Sequence, residues 1–425
     1  MEYQAGLISQ QLSGVLSPPQ PGQAFWGAQH TVVVSVGAHQ AVAGIRQPVD
    51  GLGGGEVVHG AASDADPALA VLKAQMEALE RYASLVGVEA RSVVASSAEL
   101  GPAALPPHTL PRHAVAEPGR RAGTHGVLAP TDRIRWVDAK RCSDGANVFV
   151  PAIMAYNVSP RLPGEDFWIP ISTGTAAHFS IDQATENAVL EVVERDALAL
   201  TWLLRTPGRQ LSWAAAEAGP GPEARRLRSL ALAEGYALSC WDITSDIGIP
   251  TVLSLLQGQG PVVHHVVGAA ARRTVAAAAD ASVSEAVQIC ASLDAAVRTG
   301  DRAPRTPVRC RRIHDGALFM AAADRAHHFE FLGTPEAGDV RTRGLAACPP
   351  RASLVERVLE LGHEVYIVDL TPPDVAPAGV RVVRAIVPSL QPLSSVYAAR
   401  YLASDRLRQT ASPLTQLNTM PYPLA

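Results

Sequence analysis

The sequence is 425 residues long, 47% apolar and 18% charged, which suits two or three domain-sized units or one elaborated fold and excludes a disordered or fibrous chain. Its 36 basic and 40 acidic residues are mixed along the chain and leave a net charge of −4, so there is no electrostatic footprint for duplex DNA or an anionic membrane. Five cysteines without a C-x-x-C pair argue against a disulfide framework or a cysteine-rich zinc site; with no signal-peptide start and no apolar run of roughly 18 residues, a soluble cytoplasmic protein is expected.

In chain order, the first 50 residues are rich in Gly, Pro and Gln and hold one strand, 31–36, before a glycine cluster at 51–55. The spacing predicts a helix over 67–87, with Asp66 as N-cap, Pro67 at the first helical position and apolar residues three and four apart. Residues 101–130 hold six prolines and read as a loop insertion. Strands are expected at 135–137 and 147–153. The strongest helix pattern covers 181–204, with Ser180 as N-cap and Gln183 placed to complete a capping box. A helix over 222–234, strands at 238–242 and 250–256, helices over 275–297 and 350–361, and strands at 364–370 and 380–387 complete a mixed α/β pattern.

Two phrases recur. Glu-x-x-Glu-Arg is present as Glu77, Glu80 and Arg81 and again as Glu191, Glu194 and Arg195, with a variant, Glu285 and Gln288, in a third helix. The phrase Asp242-Ile-Thr-Ser-Asp246 leads into an apolar strand as Asp369-Leu-Thr-Pro-Pro-Asp374 does. Such spacing is too wide for a solenoid and suggests an internally duplicated domain whose helices face one another across a pseudo-twofold.

Residues three apart share a helix face, so Glu77 with Glu80 and Glu191 with Glu194 are two carboxylate pairs. The plainest reading is exposed ion pairing, because Arg81 and Arg195 each follow a glutamate by one turn. The apolar company (Ala74, Met76 and Leu79; Val189, Leu190, Val192 and Val193) argues that part of each helix is buried, where a carboxylate needs a cation or dense hydrogen bonding. Two such pairs brought together would offer four oxygen donors to Mg2+, which bridges phosphates. No P-loop is present to do that work, and the glycine cluster at 51–55 reads as a hairpin turn.

Several segments resemble the signature of YcaO-domain proteins: Met76-Glu77-Ala-Leu-Glu80-Arg81-Tyr82, Ser172-Thr-Gly174-Thr-Ala-Ala, Glu191-Val-Val-Glu194-Arg195-Asp196-Ala197, the phrase from Asp242 to Pro250, Glu285-Ala-Val-Gln288, and Val387-Pro-Ser-Leu-Gln-Pro-Leu393. The likeness is to the discrete YcaO subunit of an azoline-forming cyclodehydratase. It implies an α+β YcaO-type fold, with mixed sheets and helices around an ATP site, over 51–400, after an N-terminal segment 1–50 and before a tail 401–425. By the same resemblance Glu77, Glu80, Glu191 and Glu194 are Mg2+ ligands and Arg195 is a catalytic phosphate contact. Ser172 and Gly174 then line the nucleotide pocket, with Glu285 and Gln288 close to it.

The activity implied is ATP-dependent conversion of Cys, Ser or Thr in a ribosomal precursor peptide to thiazoline or (methyl)oxazoline, by phosphorylation of a backbone amide oxygen. The end of the chain, Met420-Pro421-Tyr422-Pro423-Leu424-Ala425, resembles the family's Pro-x-Pro-x-Pro tail, which implies that Pro423 and Ala425 reach the active site on a stiff, extended segment.

The chain also departs from the family pattern. Ser63-Asp64 stands where Lys-Gly is usual, Thr173 replaces an Asn, and Cys290 occupies an Arg position; Arg272, Arg273 and Arg384 are candidate substitutes. The first 50 residues hold no cysteine, so a zinc-bearing peptide clamp is not expected there. A separate leader-peptide-binding partner, ocin-ThiF-like or RRE-containing, would then deliver the precursor, with an azoline dehydrogenase as a further partner and a homodimer as the usual family state. Two other readings stay open: a YcaO enzyme forming a thioamide or amidine, and a non-catalytic scaffold or peptide-binding subunit. The scattered cysteines read as core thiols, and the run Arg309-Cys310-Arg311-Arg312 as solvated surface.

Overall fold

The computed structural model describes residues 2–12, 15–21, 30–37, 39–42, 45–48, 57–114, 126–158, 160–215, 219–260, 263–312, 314–333, 353–394, 396–412 and 415–424. The chain runs α1 (Glu2–Gln11), β1 (Gln20–Pro21), β2 (His30–Gly37), β3 (His39–Val42), β4 (Ile45–Pro48), β5 (Val57–Asp64), α2 (Pro67–Ala83), α3 (Val88–Arg91), β6 (Ser92–Ala95), α4 (Ser97–Leu100), β7 (Ile134–Arg141), β8 (Asn147–Pro151), α5 (Ala152–Ala155), β9 (Thr175–His178) and α6 (Ile181–Leu204). It continues through β10 (Arg209–Gln210), α7 (Pro222–Ala233), β11 (Tyr236–Asp242), β12 (Thr251–Gly258), β13 (His265–Ala271), α8 (Val275–Arg298), α9 (Asp315–Met320), α10 (Leu354–Glu360), β14 (Tyr366–Asp369), β15 (Arg381–Ile386) and α11 (Asp405–Thr410).

Local chemistry explains most of these boundaries. Asp66 accepts the Ala68 N–H at 2.9 Å and Pro67 opens α2, as the sequence predicts. The helix stops at Ala83 rather than 87, where Ser84 donates back to the Glu80 carbonyl and Gly87 turns the chain at φ 84°. Helix α6 spans the predicted range, but the capping box does not form. The Gln183 amide turns forward to Glu186 at 3.1 Å, and the Ser180 N–H donates to Nδ1 of His178 at 3.1 Å. The Ser180 N–H that a capping box would give to the Gln183 carbonyl oxygen goes instead to His178. The strand expected over 147–153 ends at Pro151 and becomes the short buried helix α5. The glycine cluster at 51–55, Cys348 and Ala425 lie outside the described residues.

The chain divides into two compact units, and the division falls within α6. The first comprises Met1–Leu110, Gly123–Val189 and Gly362–Pro388. It holds an antiparallel sheet in the order β1-β2-β5, a β3-β4 hairpin, and a six-stranded antiparallel sheet ordered β6-β7-β14-β15-β9 with β8 also on β7. The second unit comprises Pro111–Ala122, Leu190–Leu361 and Ser389–Ala425. Its four antiparallel strands run β10-β11-β12-β13. A buried cluster around Trp202, Phe319, Phe329 and Tyr422 forms part of its core. Among the described residues no helix is long and apolar enough to cross a membrane.

One construction occurs in both units: a strand pair followed by a helix laid close on its second strand. In the first unit the units of this construction are β2, β5 and α2; in the second they are β12, β13 and α8. A Cβ at Gly60 would overlap the Ala74 carbonyl and the Ala78 nitrogen; one at Gly268 would overlap the Ser282 carbonyl and the Ala286 nitrogen, in the same register. The next residue in each strand donates to a helical glutamate: Ala61 N–H to Glu77 Oε2 at 2.8 Å, and Ala269 N–H to Glu285 Oε2 at 2.7 Å. This register matches Glu77 with Glu285, rather than α2 with α6 as the repeated Glu-x-x-Glu-Arg suggests.

The recurring Asp phrase carries matching hydrogen bonds in both places. Asp242 accepts from Thr244 and Asp369 from Thr371, and each Thr hydroxyl accepts the N–H of the facing strand, Thr251 and Val382.

The close helix–strand approach is testable. Gly60→Ala and Gly268→Ala force backbone apart and should each lower stability by about 3 kcal/mol in denaturant unfolding. Gly6→Ala, in open space on α1, should leave it unchanged or raise it by up to about 1 kcal/mol.

Candidate functional site

The edge of a sheet presents unpaired N–H groups. In the first unit α2 covers two such edges with glutamates. Glu77 accepts from Ala61 on β5 and pairs with Arg81 at 2.6 Å, and Arg81 also donates to the His59 carbonyl. Glu80 accepts the Ala177 N–H of β9 through Oε1 at 2.7 Å. The ion pair to Arg81 is half in solvent and adds little; the backbone bonds are what orient the carboxylates.

The Ser172–Gly174 segment is a turn on the same unit. Thr175 N–H donates to the Ser172 carbonyl at 2.9 Å, Gly174 sits at φ 81°, and its carbonyl accepts from Ala385. Buried Arg384 clamps the turn by donating to Thr175 Oγ1 and the Ile171 carbonyl, both at 2.6 Å. Ser172 is exposed and Gly174 buried. Asp64, near the expected Lys-Gly position, pairs with Lys73 at 2.6 Å.

In the second unit β13 is the edge strand, and its N–H groups at 269 and 271 point outward with the period of a strand. Glu285 takes the first and Glu194 Oε2 takes the Ala271 N–H at 3.2 Å. Arg195 lies 3.5 Å from Glu191 and 3.6 Å from Glu194. The structure therefore brings Glu191, Glu194, Arg195 and Glu285 into one cluster, with Gln288 one turn beyond Glu285 on α8.

This cluster is short of positive charge. Burial pushes the Glu194 carboxyl up to about 8, against the pull of Arg195, with Glu285 and Glu191 adding to the rise and Arg272 opposing it. Burial likewise raises Glu285, against Arg195 and the Ala269 hydrogen bond. For Arg195 burial favours the neutral form, but Glu194, Glu191 and Glu285 outweigh it and raise its value further. Among the described residues, Glu191, Glu194 and Glu285 thus share the field of Arg195, with Arg272 acting on Glu194 and Glu285.

Cys290 supplies none of the missing charge. It is 1% exposed, burial pushes its thiol up to about 12, and it bonds to Tyr236. Arg272, which donates to the Ala271 carbonyl, acts on both Glu194 and Glu285. Arg384, committed to its turn in the first unit, is a clamp.

Oxygen donors in an environment that raises their proton affinity suit a hard cation such as Mg2+. Among the described residues no three His, Cys, Asp or Glu side chains are gathered closely enough to hold a metal alone, so an ion here would need further oxygens from a ligand.

Two features of the second unit lie beyond what spacing could reveal. Residues 421–424 are buried, and the three carbonyls before them are each held: Asn418 by Arg400 Nη1 at 2.9 Å, Thr419 by Tyr397 Oη at 2.6 Å, and Met420 by Trp202 Nε1 at 3.2 Å. Pro423 is therefore fixed in this unit. Trp202 is seven residues along α6 from Arg195, roughly 10 Å of helix. The second feature is Asp196, fully buried, which accepts from Arg406 and from the Gln391 N–H, while Arg406 also binds Asp246. Asp196, Asp246 and Gln391 all lie in segments that carry the family resemblance, but their partner Arg406 does not.

A family model described as YcaO cyclodehydratase, ATP- and Mg2+-binding, matches residues 62–391. A comparison with curated protein sequences found no match. Among solved structures, a heterocyclase in complex with substrate and cofactor is similar at 20% identity and TM-score 0.73, over 98% of this chain and 57% of that one. YcaO from Methanopyrus kandleri, bound with AMPPCP and Mg2+, is similar at 18% identity and TM-score 0.62, over 97% and 95% of the two chains. The E. coli microcin synthetase McbBCD complex contains a chain similar at 13% identity and TM-score 0.64, over 96% of each. The chain spans little more than half the length of the first of these.

The raised Glu194 carboxyl makes stability depend on pH. A group that binds its proton more tightly when folded contributes stability that is complete below its ordinary value of 4.5 and is lost as pH rises through about 8. Without metal, the chain should melt at a lower temperature near about pH 9 than near about pH 5. Glu194→Gln should flatten that difference, and Mg2+ with ATP should raise the melting temperature most at the alkaline end; a profile that Glu194→Gln leaves unaltered contradicts the assignment.

Proposed function

Because the chain belongs to the YcaO family, whose cofactors are ATP and Mg2+, we propose that it is the ATP-dependent subunit of an azoline-forming cyclodehydratase acting on a ribosomally made precursor peptide. The observation that carries this reading is the cation-poor cluster of Glu191, Glu194 and Glu285 with Arg195, oriented by the edge of β13.

In this reading Glu77 and Glu80 in the first unit, and Glu191 and Glu194 in the second, would serve as Mg2+ ligands, with Glu285 and Gln288 beside the second pair. Ser172 and Gly174 line the nucleotide pocket, and the clamp from Arg384 holds their turn in shape. Bound Mg2+ and ATP supply the phosphoryl group and most of the charge neutralisation. Arg195 would meet the transferring phosphoryl oxygens, and Arg272 would add the charge that Cys290 does not. A Cys, Ser or Thr side chain of the peptide would attack the preceding carbonyl carbon, losing its proton and closing the ring; phosphoryl transfer to the oxygen of that adduct would release ADP, and departure of phosphate with loss of the amide N–H proton would form the azoline C=N bond.

The moored tail favours azoline formation over the thioamide- or amidine-forming alternative. Arg400, Tyr397 and Trp202 hold the backbone just before Pro423, so that its place is fixed. The scaffold reading draws on Asp64 and on buried Cys290, neither of which can contact phosphate as a cation. Arg272 and the retained glutamates weigh against it. The precursor peptide, a separate leader-binding protein, an azoline dehydrogenase and a second copy of the chain are the partners this function calls for.

The test is to incubate the chain with its partner protein, a Cys/Ser/Thr-rich precursor and Mg-ATP, and to weigh the peptide. Loss of one water per heterocycle with matching ATP consumption is expected; exchange of oxygen for sulfur would select the thioamide reading, and no mass change without nucleotide binding would select the scaffold. Glu191→Ala and Glu194→Ala should each lower ATP turnover by about 100-fold or more while the chain still melts cooperatively, and retained turnover in both would sink the ligand assignment. Tyr397→Phe, which keeps the ring and removes one tail donor, should slow cyclisation about tenfold and leave nucleotide affinity unchanged.

A further inference from the structure

The segment between α8 and α9 carries five exposed arginines, Arg302, Arg305, Arg309, Arg311 and Arg312. Its two ends are neutralised. Arg298 pairs with Asp294 at 3.2 Å, and Arg312 with Asp315 at 3.0 Å and with Asp301 at 3.9 Å. Between them, among the described residues, Arg302, Arg305, Arg309 and Arg311 have no carboxylate partner and no side-chain hydrogen bond. Elsewhere in this chain of net charge −4, arginines such as Arg81, Arg135, Arg141, Arg226 and Arg406 are paired. Four unpaired cations on one short segment repel one another, so the surface is poised for an anion.

The backbone holds them in place. Cys310 is 1% exposed and plugs the segment into the core, which turns its neighbours Arg309 and Arg311 outward. The Arg309 and Cys310 N–H groups close a tight turn on Thr306 and Pro307, and the Arg311 and Arg312 N–H groups both donate to Asp315 Oδ2, at 2.8 and 2.9 Å. The segment also shares its anchor with the tail. The Cys310 carbonyl accepts the N–H of Tyr397, whose hydroxyl holds Thr419, and Gly316, just beyond, packs against the Tyr422 carbonyl.

We propose that this arginine surface docks an acidic stretch of the peptide substrate; the identity of the occupant rests on the function proposed above, its acidic chemistry on the arginines alone. A nucleic acid fits less well, because the segment offers no Phe, Trp or Tyr between Arg298 and Phe319 on which bases could stack, and the chain as a whole is acidic. A membrane fits less well because Val308 is the single large apolar side chain that the described segment exposes. A flexible carboxylate-rich peptide needs neither. Its entry beside the tail anchor brings the following residues toward the segment that presents Pro423.

The probe is fluorescein-labelled deca-glutamate, titrated into the full chain without nucleotide and followed by anisotropy. Binding should weaken several-fold as salt rises from about 50 to 200 mM, as screening of exposed charges requires. Substituting Arg302, Arg305, Arg309 and Arg311 together by Ser should weaken it at least tenfold. The same change at Arg133, Arg161, Arg209 and Arg408, which alters net charge equally, should leave it within twofold. In the cyclodehydration assay the first variant should raise KM for an acidic precursor and leave kcat and peptide-independent ATP turnover unchanged. No binding of deca-glutamate, equal losses in the two variants, or tighter binding of deca-thymidylate or phosphatidylserine vesicles would each overturn the proposal. Deca-glutamate binding by a chain that never turns over ATP would count against the cyclodehydratase reading and leave the acidic docking surface standing.

Discussion

A helical carboxylate that accepts the N–H of a sheet edge recurs on α2, α6 and α8. Ala61, Ala177, Ala269 and Ala271 donate to Glu77, Glu80, Glu285 and Glu194. Each bond answers two needs: an edge N–H away from water must find an acceptor, and a buried carboxylate must find donors. A hydrogen bond to a charged group contributes about 1.5–3 kcal/mol, and it also fixes which way the remaining oxygen points. The donors are alanines and the preceding residues at 60 and 268 are glycines, because only small residues let the helix lie close enough for a glutamate to reach the strand.

Helix α6 carries three functions at successive positions. Glu191, Glu194 and Arg195 belong to the acidic cluster. Asp196, on the next position, turns into the core to Arg406 and Asp246. Trp202, two turns further, holds the Met420 carbonyl at the head of the tail. One helix thus joins the acidic cluster to the residue that holds the head of the tail through a fixed length of backbone, with Asp196 anchored in the core between them.

Much of this was legible in residue spacing. The long helices α2, α6 and α8 and the glutamates on them follow from three- and four-residue periodicity, and the resemblance of those motifs identified the family. What spacing could not supply was the strand partner of each carboxylate. β13 reads His-Val-Val-Gly-Ala-Ala-Ala, a run whose alanines carry little strand preference, and β9 is four residues long; both depend on tertiary pairing. The pairing of α2 with α8 was hidden for the same reason, since its mark is a glycine in a strand rather than a repeated helix motif. Gln183 had the right position for a capping box, but the Ser180 N–H it would accept goes to His178. Cys290 was visible as a departure, but its burial against Tyr236, and Arg272 as the nearby cation, are facts of packing. The donors that moor the tail come from two distant places in the sequence, Trp202 on α6 and Tyr397 with Arg400.

In the function proposed above, the second unit's carboxylate cluster takes up Mg2+ with its nucleotide in place of the proton that burial favours on Glu194. Titration calorimetry of Mg-ATP into the chain at neutral pH, repeated in buffers of different ionisation enthalpy, counts the protons exchanged on binding. Release of close to one proton is expected, because a metal displaces the proton on Glu194, and Glu194→Gln should abolish the release. Tight Mg-ATP binding with no proton released, or release that persists in Glu194→Gln, would contradict it.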